Sequence, residues 1–246
     1  MKQRLIIGSI KKNRFTFYGV EVIQAPDKGI VISKEEDILT IKGIPLSKER
    51  VKQSREAMTE AERKQYQSLV GSLLWIGTHT VPHLKYVASM VAQRTSDLLV
   101  KDFNTANTLL KYATSLYAVV TYPRPKTKEF ALVTYSDASA NGPQEGCIVF
   151  KMYGLKKGSI VHPIIWHSRK TKQRVSSTLG IESLACISGF STAFYIGHFL
   201  KHCLIEKLSK PTIVVDSKSL FQHMQTHNEV SDKKLKVHIA ILREAF

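Results

Sequence analysis

Three acidic residues occupy positions from which they could support chemistry. Asp137 follows the apolar run "FALVTY" and Asp216 follows "TIVV", so each is predicted to end a strand. Functional groups in α/β sheets collect at strand ends, so adjacent strands of this kind would bring the two carboxylates together. Glu182 lies one turn into the long helical pattern that follows the third predicted strand, and a helix N-terminus favours negative charge.

Carboxylates that converge in one cleft would repel one another and raise each other's pKa unless a cation neutralised them. Hard oxygen ligands select Mg²⁺ or Mn²⁺. Two such ions, roughly 3.5 to 4 Å apart, can activate water and stabilise the leaving oxygen of a phosphodiester. The residues alone leave a structural alternative equally open, in which Asp137 begins a turn and Asp216 caps the helix "SKSLFQHM".

The charge balance predicts a polyanionic partner. Lys and Arg number 36 against 20 Asp and Glu, which gives a formal net charge of +16. Such a chain attracts nucleic acid and releases its counterions on binding, although an inert basic surface is the alternative. The basic run "HSRKTKQR" precedes the helix that carries Glu182, and it offers candidate phosphate contacts, with a solvated loop as the alternative. These candidates are Arg169, Lys170, Lys172 and Arg174.

Short polar side chains flank the carboxylates and form a second group of candidate substrate contacts. Ser139, Asn141, Ser177 and Thr178 could donate hydrogen bonds to sugar or phosphate oxygens. In an RNA/DNA hybrid the 2′-hydroxyl distinguishes the two strands, which suits hydroxyl and amide side chains. Turn and cap chemistry is an equally good explanation for each of them.

Cysteine use and hydropathy indicate an intracellular, soluble chain. Cys147, Cys186 and Cys203 are widely spaced and form no CxxC pair, so neither a disulfide framework nor a cysteine-rich zinc site is predicted. His198 and His202 precede Cys203 by helical spacing, but a convincing fourth zinc ligand is missing. We expect no membrane partner, because no apolar stretch approaches the roughly 20 residues of a membrane span, and the N-terminus does not resemble a signal peptide.

The first half of the chain predicts a hairpin followed by helices. The β-rich runs "RFTFYGVEVIQ" and "GIVISK" are joined by the turn-forming "APDKG". Thr59 and Glu62 have capping-box spacing at the start of one helix, Pro82 begins a second, and "FNTANTLLKYATSL" predicts a third. Trp75 is predicted to lie in the core, with nucleic-acid stacking as the alternative. Residues 57–117 thus form a small helical unit before the linker "YPRPKTKEF".

The second half predicts an α/β domain. Three strands, "FALVTYSD", "CIVFKMYG" and "IVHPIIWHSRK", precede the long helix "TLGIESLACISGFSTAFYIGHFLKHCL". The strand "TIVVD" and the helices "SKSLFQHMQ" and "DKKLKVHIAILREAF" follow. A three-stranded meander whose next strand arrives by way of a helix implies a mixed sheet. Because the chain stops inside its last helix, at Phe246, we expect the sequence to be truncated.

The order strand, "SDAS", two strands, "SSTLGIESLA" on a helix and "IVVDSKSL" resembles the ribonuclease H domain. In detail it is similar to the domain that ends the reverse transcriptase of copia-type LTR retrotransposons. "FYGVEVI" with "GIVISKEEDI" resembles the strands that close the palm, and "YQSLVGSLLWIGTHTVPHLKYVAS" resembles the thumb or connection segment. The resemblance implies a palm end with its β-hairpin (1–56), a helical thumb or connection with linker (57–126), and a ribonuclease H-like domain truncated at its C-terminus (127–246).

The resemblance also implies an activity and its site. Asp137, Glu182 and Asp216 match the family's first three metal-binding carboxylates, which hold two Mg²⁺ or Mn²⁺ ions. The implied reaction is endonucleolytic hydrolysis of the RNA strand of RNA/DNA hybrids. The implied context is a polyprotein with the upstream reverse transcriptase fingers and palm, located in a cytoplasmic virus-like particle or in the nucleus. The family's fourth carboxylate lies beyond the final helix, and Asp232 is better interpreted as a helix cap.

Some positions depart from the family pattern. Ser139 and Ala140 stand where many copia-type sequences have Asp-Trp, and "VPH" (81–83) replaces an Arg-Pro-Asp motif. The polymerase motif Tyr-x-Asp-Asp does not occur in this chain, so we predict no polymerase activity. Because the fourth carboxylate is missing, a second hypothesis stays open. It is a catalytically silent nucleic-acid-binding module, from a truncated or domesticated element, whose helical unit and basic rim grip a duplex.

Overall fold

The structure is a computed structural model that divides the chain into two compact units. It describes residues 11–94, 97–124, 127, 129–139, 144–154, 158–171, 173, 175, 177–203, 207–226 and 233–245. The first unit comprises residues 1–84 and 94–124, and the second comprises residues 85–93 and 125–246. The three regions implied by the family resemblance remain a prediction.

The first unit contains a four-stranded antiparallel sheet in the order β1-β2-β3-β4. Its strands are β1 (Arg14–Phe17), β2 (Val20–Gln24), β3 (Ile30–Ser33) and β4 (Val119–Tyr122). The predicted turn "APDKG" does join β2 to β3, but "RFTFYGVEVIQ" is itself a hairpin rather than one strand. Tyr18 and Gly19 turn the chain with φ angles of 47° and 67°, which suits a two-residue hairpin loop. Strand β4 was not predicted, and it adds to the sheet beside β3.

The helices of this unit are α1 (Glu35–Thr40), α2 (Lys48–Lys52), α3 (Glu60–His79), the start of α4 (Pro82–Ala92) and α5 (Val100–Thr114). The predicted capping box is confirmed, because Glu62 N–H donates to Thr59 Oγ1 and Thr59 N–H donates to Glu62 Oε2. Arg50 donates two further hydrogen bonds to Glu62, and they lower the pKa of this carboxyl to about 2.

The unit's core lies between α3 and α5, where the buried rings of Tyr66 and Phe103 meet edge to face. The prediction that Trp75 belongs to this core is wrong, because its side chain is 43% exposed. It lies instead beside the ring of His79 and beneath the ammonium group of Lys34. Helical spacing placed Trp75 near the apolar stripe of α3, but it lies at the edge of that stripe.

The second unit contains a five-stranded mixed sheet, in which β5 is central. Its strands are β5 (Glu129–Ser139), β6 (Gln144–Tyr153), β7 (Ile160–Lys170), β8 (Lys207–Leu208) and β9 (Thr212–Val214). Strands β5, β6 and β7 form the predicted antiparallel meander, whereas β8 and β9 pair with β5 in parallel. The helices are α6 (Thr178–Cys203), α7 (Lys218–Gln225) and α8 (Lys233–Ala245). This mixed sheet with packed helices confirms the predicted α/β fold class.

Helix α6 packs along β5 and β6. It approaches closely because Gly189 faces the sheet, where an added Cβ would lie 3.2 Å from Ser136 Cβ and Thr134 Cγ2. The buried side of α6 also joins β9, α7 and α8 in a core cluster that includes Cys186, Leu220 and Ile239. The close helix-to-sheet approach and this cluster together fix where the first turn of α6 lies.

Contrary to our expectation, one segment is long and apolar enough to span a membrane. Helix α6 passes by length and composition over Thr178–His202. The contacts of Gly189 and of the Cys186 cluster show that its apolar face packs on the sheet and on neighbouring helices. We therefore interpret α6 as the core helix of the second unit, a role that demands the same composition.

Replacing Gly189 with Val is expected to destabilise the second unit. The added branches have no space against β5, and overpacking of this kind costs about 1 to 3 kcal/mol. Thermal or urea unfolding would measure the loss. The matched control is Gly71→Val in α3, because a Cβ at Gly71 meets no atom within 4 Å. Equal effects of the two substitutions would contradict a close approach at Gly189.

Candidate metal centre

Parallel pairing of β5 with β9 brings Asp137 level with Asp216. Tyr135 pairs with Val214, so residues two further along each strand direction reach the same height. Asp216 lies two residues after β9, as predicted for a strand end. The prediction that Asp137 ends its strand needs a small correction. Strand β5 continues to Ser139, and Asp137 is paired with Gly146 inside the strand. Its Oδ1 accepts a hydrogen bond from the N–H of Ala138 at 2.8 Å.

Glu182 reaches the same place from the first turns of α6. The helix begins at Thr178, and the Oγ of Ser177 accepts a hydrogen bond from Gly180 N–H at 3.1 Å. A Cβ at Gly180 would collide with Val175, so glycine allows the preceding loop to fold back against the helix start. Glu182 itself is buried, with only 7% of the residue exposed.

The three carboxylates form one cluster. One oxygen atom from each of Asp137, Glu182 and Asp216 lies within 4.8 Å of the others. Burial, and then repulsion from Asp137 and Asp216, raise the pKa of Glu182 to about 7. Its Oε2 is buried and has no hydrogen-bond partner among the described residues. The sequence predicted the convergence, but it attributed a raised pKa to repulsion alone, whereas burial is the larger cause for Glu182.

This arrangement fits a divalent cation. The donors are all carboxylate oxygens, which are the ligands that Mg²⁺ and Mn²⁺ prefer. A buried carboxylate oxygen without a partner is costly unless a cation or a proton satisfies it. Asp137 and Asp216 remain exposed, so the cluster is open to solvent on one side. Asp137, Glu182 and Asp216 are therefore the residues that would hold a metal ion.

The structural alternative for the aspartates does not describe this geometry. The N-cap of α7 is Ser217, whose Oγ accepts a hydrogen bond from Leu220 N–H at 3.3 Å, and not Asp216. Asp137 lies within a strand ladder rather than at the start of a turn. Both aspartates are thus free of the structural roles that would have explained them.

The predicted substrate contacts lie in different settings. Ser139 ends β5, and Thr178 and Lys170 are exposed at the start of α6 and the end of β7. Ser177 serves as the cap of α6, which matches the alternative given for it. Arg169 is bonded within the protein, to Glu145 and Ser188. The remaining candidates, Asn141, Lys172 and Arg174, lie outside the described residues.

Sequence analysis missed a polar network between β6, β7 and α6. His167 Nδ1 lies 3.3 Å from Cys147 Sγ, and its Nε2 lies 3.3 Å from Ser188 Oγ. Burial lowers the pKa of His167 and raises the pKa of Cys147 to about 11, so the thiol stays protonated. Only the strand register shows that these residues meet, and no local sequence pattern encodes it.

Comparison with known proteins adds little. No protein-family model matches the sequence, and no curated protein sequence is detectably similar to it. Among solved structures, the chain is similar to LC11-RNase H1, isolated from compost by a metagenomic approach. The two are 17% identical, the match covers 48% of this chain and 76% of that chain, and the TM-score is 0.29. A likeness of this size assigns no function to the chain.

Proposed function

We propose that this chain is a ribonuclease H-type endonuclease that hydrolyses the RNA strand of RNA/DNA hybrids. The observation that carries the proposal is the cluster of Asp137, Glu182 and Asp216, whose oxygens lie within 4.8 Å of one another beside the mixed sheet of the second unit. In this proposal the three side chains hold two Mg²⁺ or Mn²⁺ ions. Bound ions of this kind activate a water molecule and stabilise the leaving oxygen of a phosphodiester.

The chain's own residues supply binding and orientation. Glu182 enters from α6, Asp137 enters from β5, and Asp216 enters from just beyond the end of β9, so two of the three ligands stand on regular elements. The raised pKa of Glu182 means that the metal-free site holds part of a proton near neutral pH, which a cation would displace. Without a cation, the cluster therefore carries less than its full negative charge near neutral pH.

The substrate side of the proposal depends on charge and on short polar groups. A net charge of +16 favours any nucleic acid, and exposed Lys170 at the end of β7 offers a phosphate contact near the site. Ser139 follows the metal ligand Asp137 by two residues along β5. Thr178 precedes the metal ligand Glu182 by four residues, which is about one helical turn. In this proposal they contact sugar or phosphate oxygens beside the scissile bond.

We further propose a copia-type retrotransposon origin. The sequence resemblance supports it, with residues 1–56 as the end of a reverse transcriptase palm and 57–126 as the thumb or connection. The upstream fingers and palm of the same polyprotein would then be the partner. The chain would act in a cytoplasmic virus-like particle or in the nucleus.

Cleavage of an end-labelled RNA/DNA hybrid tests the proposed activity. We expect the RNA strand to be cut in Mg²⁺ or Mn²⁺ and not in EDTA, and we expect duplex DNA of the same sequence to stay intact. Binding cannot replace this assay, because a silent binding module would also bind in a salt-dependent way. Binding of the hybrid without cleavage in either metal would favour the silent module.

A further inference from the structure

The position of Glu182 depends on the position of α6. Its Oε2 has no hydrogen-bond partner among the described residues, so none of their hydrogen bonds holds that oxygen beside the aspartates. The distance from Glu182 to Asp137 is therefore fixed by how the helix lies on the sheet. A side chain that bonds α6 to the strands near the N-terminal half of the helix therefore affects the position of Glu182 without contacting it.

Arg169 makes such a connection. Its Nε donates to Glu145 Oε1 at 2.7 Å, and its Nη2 donates to Ser188 Oγ at 3.1 Å. Arg169 lies on β7, Glu145 on β6 and Ser188 on α6, so one guanidinium group joins two strands to the helix. Ser188 follows Glu182 by six residues, which is roughly 9 Å along a helix.

The strand register places this connection one level along the sheet from the site. Gly146 pairs with Asp137 on one side and with Ser168 on the other. In the same way, Glu145 pairs with Ala138 and with Arg169. Glu145 therefore lies one residue along the ladder from the partner of Asp137, on the neighbouring strand, and Arg169 lies one strand further away.

We propose that Arg169 is a positioning residue for the carboxylate cluster and not a phosphate contact. The proposal rests on the proposed function, because it concerns the same metal ligands. Glu145 is buried, with 10% of its side chain exposed, and its carboxylate compensates the charge of the guanidinium group. The adjoining cavity of about 400 Å³ is lined by Glu145 as well as by Arg169, so its walls do not favour an anion. The two bonds of Arg169 hold α6 where Glu182 can share a cation with the aspartates.

Two variants separate positioning from phosphate binding. Arg169→Lys keeps the charge but cannot make both bonds, and Glu145→Gln removes the carboxylate charge that compensates the guanidinium group, which weakens the bond from Nε. If Arg169 positions Glu182, both variants weaken Mn²⁺ binding about tenfold in calorimetry without nucleic acid, as outer partners of metal sites do. Neither variant then changes the salt slope of hybrid binding in EDTA. Ser188→Ala, which leaves every charge in place, gives a smaller loss of Mn²⁺ affinity in the same direction.

Lys170→Ala is the matched control, because it removes a positive charge at the next residue. We expect it to weaken hybrid binding and to leave Mn²⁺ affinity unchanged.

Tighter hybrid binding by Glu145→Gln, with Mn²⁺ affinity intact, would overturn the proposal and assign Arg169 to phosphate. An Arg169→Ala variant would also overturn the proposal if the salt slope of its hybrid binding falls by about one while its Mn²⁺ affinity is unchanged. If the wild-type chain neither binds Mn²⁺ nor cuts hybrids, the proposed function itself fails. If the wild type does both and the variants match it, only the role of Arg169 is refuted.

Discussion

Asp137→Asn is expected to lower metal-dependent cleavage of the RNA strand by about 10³-fold or more. Metal ions contribute several kcal/mol to reactions of this class, and each 1.36 kcal/mol is a factor of ten in rate. The substitution removes one of three carboxylates that lie within 4.8 Å of one another while keeping the size of the side chain. Rates measured on the end-labelled hybrid in Mg²⁺ and in Mn²⁺ would show the loss. Hybrid affinity in EDTA should stay the same or improve, since a negative charge is removed.

The matched control for this variant is Glu129→Gln. Glu129 lies at the other end of β5, where its side chain is exposed beside Lys207, and the substitution also removes one negative charge. It should leave the cleavage rate within about twofold, because the screened field of a distant surface charge is small. Retention of full activity by Asp137→Asn would sink the assignment of this carboxylate as a ligand.

Glu182→Gln is expected to stabilise the metal-free protein at pH 8 and to abolish its stabilisation by Mn²⁺. The pKa of Glu182 is about 7 in the folded chain, above its usual value of 4.5. The folded state therefore keeps a proton that the unfolded chain releases. This contribution to the free energy of unfolding is complete below pH 4.5, falls as the pH rises to about 7, and stays lost above that. Glutamine imitates the protonated form at every pH and removes this loss.

Thermal unfolding at pH 4.5 and pH 8, with EDTA or Mn²⁺, would measure both effects. In EDTA the wild type should lose thermal stability relative to the variant between the two pH values, because groups such as His167 act equally in both proteins. Mn²⁺ should stabilise the wild type at pH 8 and should not stabilise the variant. Each kcal/mol recovered should raise the melting temperature by roughly 2 to 4 °C for a chain of this size. A wild type whose stability rises from pH 4.5 to pH 8 in EDTA, while that of the variant does not, would contradict a raised pKa.

The architecture of the second unit could be predicted because its main segments have clear composition and length. The runs before Asp137 and Asp216 are short, apolar and rich in β-formers, and the segment that carries Glu182 is long enough to indicate a helix. Short elements were missed, since β4 and β8 have only four and two residues. Their pairing partners lie far away in the chain, so only tertiary contacts specify them.

The candidate site was predictable in its ligands but not in its supports. Carboxylates at the ends of apolar runs are visible in the sequence, and their convergence follows from the topology of a mixed sheet. The bonds of Arg169 depend on which residues of β6, β7 and α6 lie opposite one another. When that register is unknown, a basic run predicts a phosphate contact. A shift of one residue in the register would turn the Arg169 side chain to the other face of the sheet, where that prediction would be reasonable.

The parallel pairing of β5 with β9 has a consequence for the order of events in folding. Asp137 and Asp216 come level only after the chain has completed α6 and returned to the sheet. We expect such a long-range contact to form late, because its loop-closure entropy is lost before the contact is gained. A cation that needs both aspartates cannot act as an early nucleus and would instead slow unfolding once the sheet is complete. Metal uptake would then report on the last step of refolding, at the moment when β9 docks.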